Sequence, residues 1–152
     1  MSEQNESQDR TVTIERLFDA PINLVWKAWI QPEHISHWWG PKGMEIDIVE
    51  HDFKVGGKWK YTMPMPDGKV FTSEGEYLDI IEGKKIVTTA DFRPMTEGVE
   101  LHMQFEEKGE RTHFTFQVVH PTVEYKLQQE KMGIYNGWGS AFDRLDAFLD
   151  KR

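Results

Sequence analysis

From Thr122 to Arg152 the apolar residues recur at helical spacing. Leu127, Ile134, Trp138, Ala141, Leu145, Phe148 and Leu149 share one face, and Asn136, Asp143, Asp146 and Asp150 take the other. Run unbroken from Glu124 to Asp150, such a helix is about 40 Å long at about 1.5 Å per residue. Its apolar stripe needs a surface to cover, and almost everything upstream reads as short strands. The arrangement this predicts is α+β: one long helix in the grip of a curved antiparallel sheet. Three glycines, Gly133, Gly137 and Gly139, fall inside the pattern, each costing about 1 kcal/mol against alanine. They mark either close backbone packing, with a break before the main helix, or a space left beside the helix for a ligand. The two readings are compatible. Tyr135 and Phe142 project from the other flank, and Trp138 points into the sheet.

The rest of the chain supplies that sheet. Residues 1–10 are polar and predict a disordered tail. Thr11 to Phe18 alternates as a first strand. Asp19 reads as a helix cap, Pro21 as an early helical position, and Ile22 to Ile30 as a short helix. Pro32 ends it, Glu33 to Trp39 forms a second short helix, and Gly40-Pro41 ends that. From Gly43 the period changes to two. Strands follow through Ile46 and Ile48, Trp59 to Met63, Lys69 to Ile81 (bent at Gly75), Lys85 to Phe92, Val99 to Glu106 and Thr112 to Val118. Gly56-Gly57, Pro66-Asp67-Gly68, Glu82-Gly83-Lys84 and Lys108-Gly109-Glu110 are the turns between them. The order is strand, two short helices, six strands, long helix. With no repeat and no linker, residues 11–152 make a single domain.

On the later strands one phase is aromatic or apolar, and the other carries Lys, Glu, His, Gln and Thr. One sheet face therefore meets water and the other meets the helix. A single helix cannot cover a strongly curved seven-stranded sheet, so the remaining inner surface is filled by bulky side chains, by the short helices or by a bound molecule. The candidate ligand-binding residues are Trp39, Phe53, Trp59, Tyr61, Phe71, Tyr77, Met103, Phe105, Phe114, Phe116, Tyr135, Trp138 and Phe142. Each of them also reads as plain core. Tyr61, Thr72, Ser73, Tyr77 and His120 are the polar groups placed to orient a ligand near the mouth.

Bulk properties narrow the partners. A net charge of -8 argues against nucleic acid and against an anionic membrane surface. The absence of cysteine excludes disulfides and thiolate chemistry. The polar N-terminus and the lack of a spanning apolar run predict neither signal peptide nor membrane helix, hence a cytoplasmic protein. No cofactor is expected, since no phosphate-binding glycine loop is present and Gly56-Gly57 joins two strands. His34 and His37, three apart on a helix, with His51 next, raise a metal site. No acidic partner is placed beside them, so a solvated helix end is expected and no metal. His102 and His113 share the polar phase of neighbouring strands and are expected near each other outside. The carboxylate pairs Glu45 with Asp47 and Glu74 with Glu76 read as solvent-facing rows, or as acid–base groups if buried. Arg93 is a candidate cation at a pocket rim. No catalytic residue is assigned.

Several stretches together carry a family resemblance over almost everything from Thr11 to Leu149. They are Ala20-Pro21 followed by Val25-Trp26-Lys27-Ala28-Trp29, and Pro32-Glu33-His34 leading to Trp38-Trp39-Gly40-Pro41. Phe53-Lys54-Val55-Gly56-Gly57-Lys58-Trp59, Pro66-Asp67-Gly68, Gly75-Glu76-Tyr77 and Gly137-Trp138 with Leu145 complete them. The chain resembles the START-like, helix-grip superfamily SRPBCC, whose fold is that of the major birch pollen allergen. Within it, the sequence looks like the branch named for the activator of the ninety-kilodalton heat-shock protein's ATPase. The resemblance implies a seven-stranded antiparallel sheet wrapped around the C-terminal helix, with a cavity between them. It also implies binding of a small hydrophobic molecule, aromatic or lipid-like, by a monomeric carrier or sensor. Two alternatives come with it: a co-chaperone or stress-related interaction module, and an enzyme of the cyclase or dehydratase kind, which needs an inward acid–base pair.

Overall fold

The computed structural model describes residues 9–39, 46–65, 67–93 and 96–150. Strand β1 (Thr11–Phe18) leads into helices α1 (Ile22–Ile30) and α2 (Pro32–Trp38). Six strands follow: β2 (Asp47–His51), β3 (Lys58–Pro64), β4 (Val70–Ile81), β5 (Lys85–Arg93), β6 (Thr96–Lys108) and β7 (Arg111–Val119). Helices α3 (Val123–Lys131) and α4 (Ile134–Asp150) end the chain. The strands form one antiparallel sheet in the order β1-β7-β6-β5-β4-β3-β2. This is the α+β helix-grip fold. Glu45 and Pro66 lie outside the described residues, as does the expected tail except at its end, where Arg10 exchanges hydrogen bonds with His120.

Register shifts between Ile48 and Glu50, Tyr77 and Asp79, and Ala90 and Phe92 help to curve the sheet. Gly75, expected to bend β4, lies within a strand that runs from Val70 to Ile81, with the register shift falling after Tyr77. It sits opposite Trp59, and a Cβ on it would run into the Thr89 carbonyl oxygen and the Trp59 ring. The Trp59 indole covers the bare backbone and donates to Thr88 Oγ1 at 2.7 Å.

The helical segment departs from the continuous rod of the sequence pattern. Gly133 adopts φ +90° and ends α3, as a glycine in left-handed conformation commonly does at a helix C-terminus. The helix that packs on the sheet is therefore α4 alone, with 17 residues and about 25 Å of length. Leu127, assigned to the covered face, is 48% exposed on α3. Phe142 is not on a separate flank from Trp138; it is fully buried against Trp29, Phe114 and Phe116. Asp19 does not cap α1, whose first turn is held by the Pro21 carbonyl; its carboxylate pairs with Arg111 at 3.4 Å.

The packed core sits on the β6–β7 half of the sheet. There the Trp29 ring of α1 stacks on Phe114 at 5.3 Å, and Trp26 meets Phe105 edge-on at 5.2 Å. Trp38 of α2 is fully buried and donates its indole N–H to the Ala28 carbonyl at 2.9 Å. No helix among the described residues is long and apolar enough to cross a membrane.

Candidate ligand cavity

Pairing across β3, β4 and β5 puts Tyr61 opposite Ser73 and Ser73 opposite Phe92. Partners in an antiparallel sheet project from the same face, so these three stand in one row on the inner side. Met63 and Phe71 make the next row. The residue in the middle of the first row is small. Facing it, the helical segment brings Gly133, Gly137, Ser140 and Ala141, which recur at spacings of three and four and lie on one flank. Small side chains on both sides leave a cavity of about 500 Å³. That lies within the roughly 300–1,000 Å³ of small-molecule sites.

Aromatic rings frame the space. Trp39 meets Tyr61 at 5.4 Å and Trp138 at 5.7 Å, both edge-on, and Phe92 meets Trp138 at 5.4 Å. Met63, Met65 and Phe71 line the sheet side, and Val118, Gln129 and Met132 line the end beneath the α3–α4 break. Ser73 is 2% exposed and brings a hydroxyl to the cavity wall.

Of the candidate residues, Trp39, Tyr61, Phe71 and Trp138 border this cavity. Trp59, Tyr77 and Met103 border a separate void of about 20 Å³, roomy enough for about one water molecule. Phe105, Phe114, Phe116 and Phe142 are packed core. Phe53 lies against Trp26 and Tyr77. Tyr135 is 45% exposed and donates to Glu130 at 2.9 Å, away from the cavity wall. Strand phase selects a face, but α1 and α4 fill the β6–β7 half of that face and leave the β3–β5 half open. Sequence reasoning did not assign Met65, Phe92, Gln129, Ile134, Ser140 or Arg144 to the wall. The signal that could have found the helix-side members is the small-residue series beginning at Gly133.

A polar relay runs behind the row. His51 Nε2 lies 2.6 Å from the Ile30 carbonyl, which can only accept, so that nitrogen carries the proton. His51 Nδ1 is then the acceptor, and the Tyr61 hydroxyl donates to it at 2.8 Å. Tyr77 stands beside this pair, its ring edge-on to His51 at 6.3 Å. Burial pushes both phenol pKa values well up and pulls that of His51 below its usual range. The relay is satisfied internally, so Tyr61 offers the cavity its ring rather than a free hydroxyl.

Other polar candidates lie elsewhere. Thr72 follows Phe71 on the opposite phase of β4 and pairs with Thr62. His120 packs on Tyr125 near Arg10, and its Nε2 is buried without a partner among the described residues. His34 and His37 both rest on Phe148 at 5.3 Å, remote in role from His51, and no metal-binding group of three occurs among the described residues. His102 and His113 are not neighbours. Strand register sets them opposite Gln117 and Glu106, and each meets its own carboxylate, Glu100 or Glu15. Glu74 approaches Lys60 at 4.0 Å on the outer face, Asp47 and Glu76 are exposed, and the Arg93 side chain lies outside the described residues.

The cation at the wall is Arg144, half-buried on α4. Its Nε donates to the Trp38 carbonyl at 3.3 Å and its Nη1 to Ser140 Oγ at 2.9 Å. Burial lowers its pKa from the ordinary arginine value, with nearby Asp143 opposing.

Comparison with known proteins agrees with this architecture. Residues 19–150 match the family described as Activator of Hsp90 ATPase homolog 1-like protein. No curated protein matches. Protein Ms6760 from Mycobacterium smegmatis is 26% identical, superposes with a TM-score of 0.84, and the match covers 96% of this chain and 94% of that one. A protein from Arthrobacter aurescens shares the fold at 24% identity and a TM-score of 0.84, covering 97% and 90% of the two chains. The AHSA1-like protein from Aeromonas hydrophila does so at 22% and 0.75, covering 93% and 92%.

Proposed function

The chain belongs to the Activator of Hsp90 ATPase homolog 1-like family, and from that premise we propose that it binds a small hydrophobic molecule, aromatic or lipid-like, as a carrier or sensor. The observation that carries the reading is the cavity of about 500 Å³ between the glycine-marked flank of the last two helices and the Tyr61–Ser73–Phe92 row. An apolar void of that size forfeits contacts its lining would otherwise make, and a ligand restores them. Trp39, Phe71, Phe92 and Trp138 supply flat apolar walls, and the Ser73 hydroxyl supplies one point of polar orientation.

The test is a titration with flavone-like and fatty-acid ligands, followed by tryptophan fluorescence and amide shifts. Saturable changes at Trp39, Phe71 and Trp138 are expected. Absence of any change there up to millimolar concentration would remove the reading. The family description refers to a chaperone ATPase. The distinctive feature of this chain is interior, so ligand binding is the reading favoured.

A further inference from the structure

We propose that Arg144 anchors the acidic head of the bound molecule, so that the ligand class is an amphipathic mono-acid: an apolar body ending in one carboxylate. The inference rests on the cavity being a binding site.

Acids outnumber bases 26 to 18 in this chain, and two of its arginines pair with them. Arg16 pairs with Asp143 at 2.7 Å, and Arg111 pairs with Asp19 at 3.4 Å. Arg144 does not. Among the described residues its bonds go to a carbonyl and a hydroxyl, and no carboxylate forms an ion pair with it. Those neutral partners hold the side chain by Nε and Nη1 and leave the Nη2 amino group without a protein acceptor among the described residues. A guanidinium edge presented in this way suits the two oxygens of a carboxylate.

The placement sets the rest of the ligand. Arg144 follows Gly137, Ser140 and Ala141 along the cavity flank of α4, where the lining apart from Gln129 is aromatic, aliphatic or small. A head held at Arg144 therefore directs its apolar body between Trp138 and the sheet. No second cationic side chain lines the cavity among the described residues. One positive charge against an otherwise uncharged lining balances one negative charge, whereas a phosphate dianion would keep a second charge without a cationic partner among the described residues.

The experiment compares 2-naphthylacetate with 2-naphthaleneethanol, which share the ring system and differ in the charged head. Binding is measured by tryptophan quenching and calorimetry on the wild-type chain, Arg144→Gln and Arg144→Lys, with near-ultraviolet dichroism confirming the fold of each. The wild type should prefer the acid by about tenfold or more, the size of one charge-assisted hydrogen bond. Arg144→Gln should abolish that preference by weakening the acid far more than the alcohol. Arg144→Lys should retain only part of it, because an ammonium cannot form the planar pair. Equal affinity of acid and alcohol in the wild type, or an unchanged preference in Arg144→Gln, overturns the role of Arg144 while the cavity reading stands. Binding of neither compound, together with failure of the flavone-like and fatty-acid titration, overturns both.

Discussion

The Tyr61 hydroxyl donates to Nδ1 of His51 across 2.8 Å, because the Ile30 carbonyl holds the proton of that ring on Nε2. One backbone carbonyl thus decides the tautomer of a half-buried imidazole and, through it, which way a cavity-wall phenol points. Replacing His51 by alanine strands both the phenol and the carbonyl. The expected loss is about 1–3 kcal/mol, the cost of buried polar groups left without partners, read from urea midpoints at neutral pH.

Acid should weaken the fold through the same ring. His51 and His120 both have pKa values lowered from 6.5, in each case chiefly by burial. The unfolded chain therefore binds more protons than the folded one below about pH 6.5. The contribution of each neutral ring is fully present above that value and declines as pH falls toward the folded pKa. Urea midpoints should be flat from pH 8 to about 7 and decrease by pH 5.5, and His51→Gln should flatten part of that slope. A midpoint that rises on acidification would contradict the assignment.

Two glycines four residues apart should respond in opposite directions. Gly137 is helical, and a Cβ on it would meet nothing within 4 Å. Gly137→Ala should stabilise by about 0.5–1 kcal/mol, and Gly137→Leu should occupy the cavity and compete with ligand. Gly133 has φ +90°, so Gly133→Ala should cost about 1–2 kcal/mol despite open space around it. Thermal melts of the three variants, with the titration repeated on Gly137→Leu, check the series.

Gly75 has no such latitude. The Thr89 carbonyl and the Trp59 ring occupy the position of a side chain there. Gly75→Ala should cost about 1–3 kcal/mol or more, the range of overpacked cores, and should change the near-ultraviolet signal of Trp59. A variant as stable as wild type would show that this close approach needs no glycine.

Tyr135 and Trp138 separate wall from surface. Tyr135 is exposed and bonded to Glu130, whereas Trp138 borders the cavity beside Phe116 at 4.5 Å. Tyr135→Phe should leave ligand affinity within twofold of wild type (roughly 0.4 kcal/mol). Trp138→Ala should weaken it by about tenfold or more, as removal of a large aromatic contact does. Parallel fluorescence or calorimetric titrations decide between them.

Much of this protein is local in origin. Alternation over Val99 to Glu106 and Thr112 to Val118, the turn residues between strands, and the apolar stripe through Leu145 and Leu149 each follow from backbone period and side-chain polarity within a few residues. They are therefore legible in the chain and yield the seven-stranded helix-grip fold. The same period makes Phe71 and Phe116 equivalent, since both stand on the inner phase of a strand. Only the assembled molecule separates them. Helices α1 and α4 press on β6 and β7 and fill that half, while Ser73 and the series Gly133, Gly137, Ser140 and Ala141 leave the other half unfilled. Arg144 acquires its place for the same reason, because its neighbours across the cavity are contributed by distant strands. Periodicity determines which face a residue takes; how deeply that face is covered depends on elements that meet it from far along the chain.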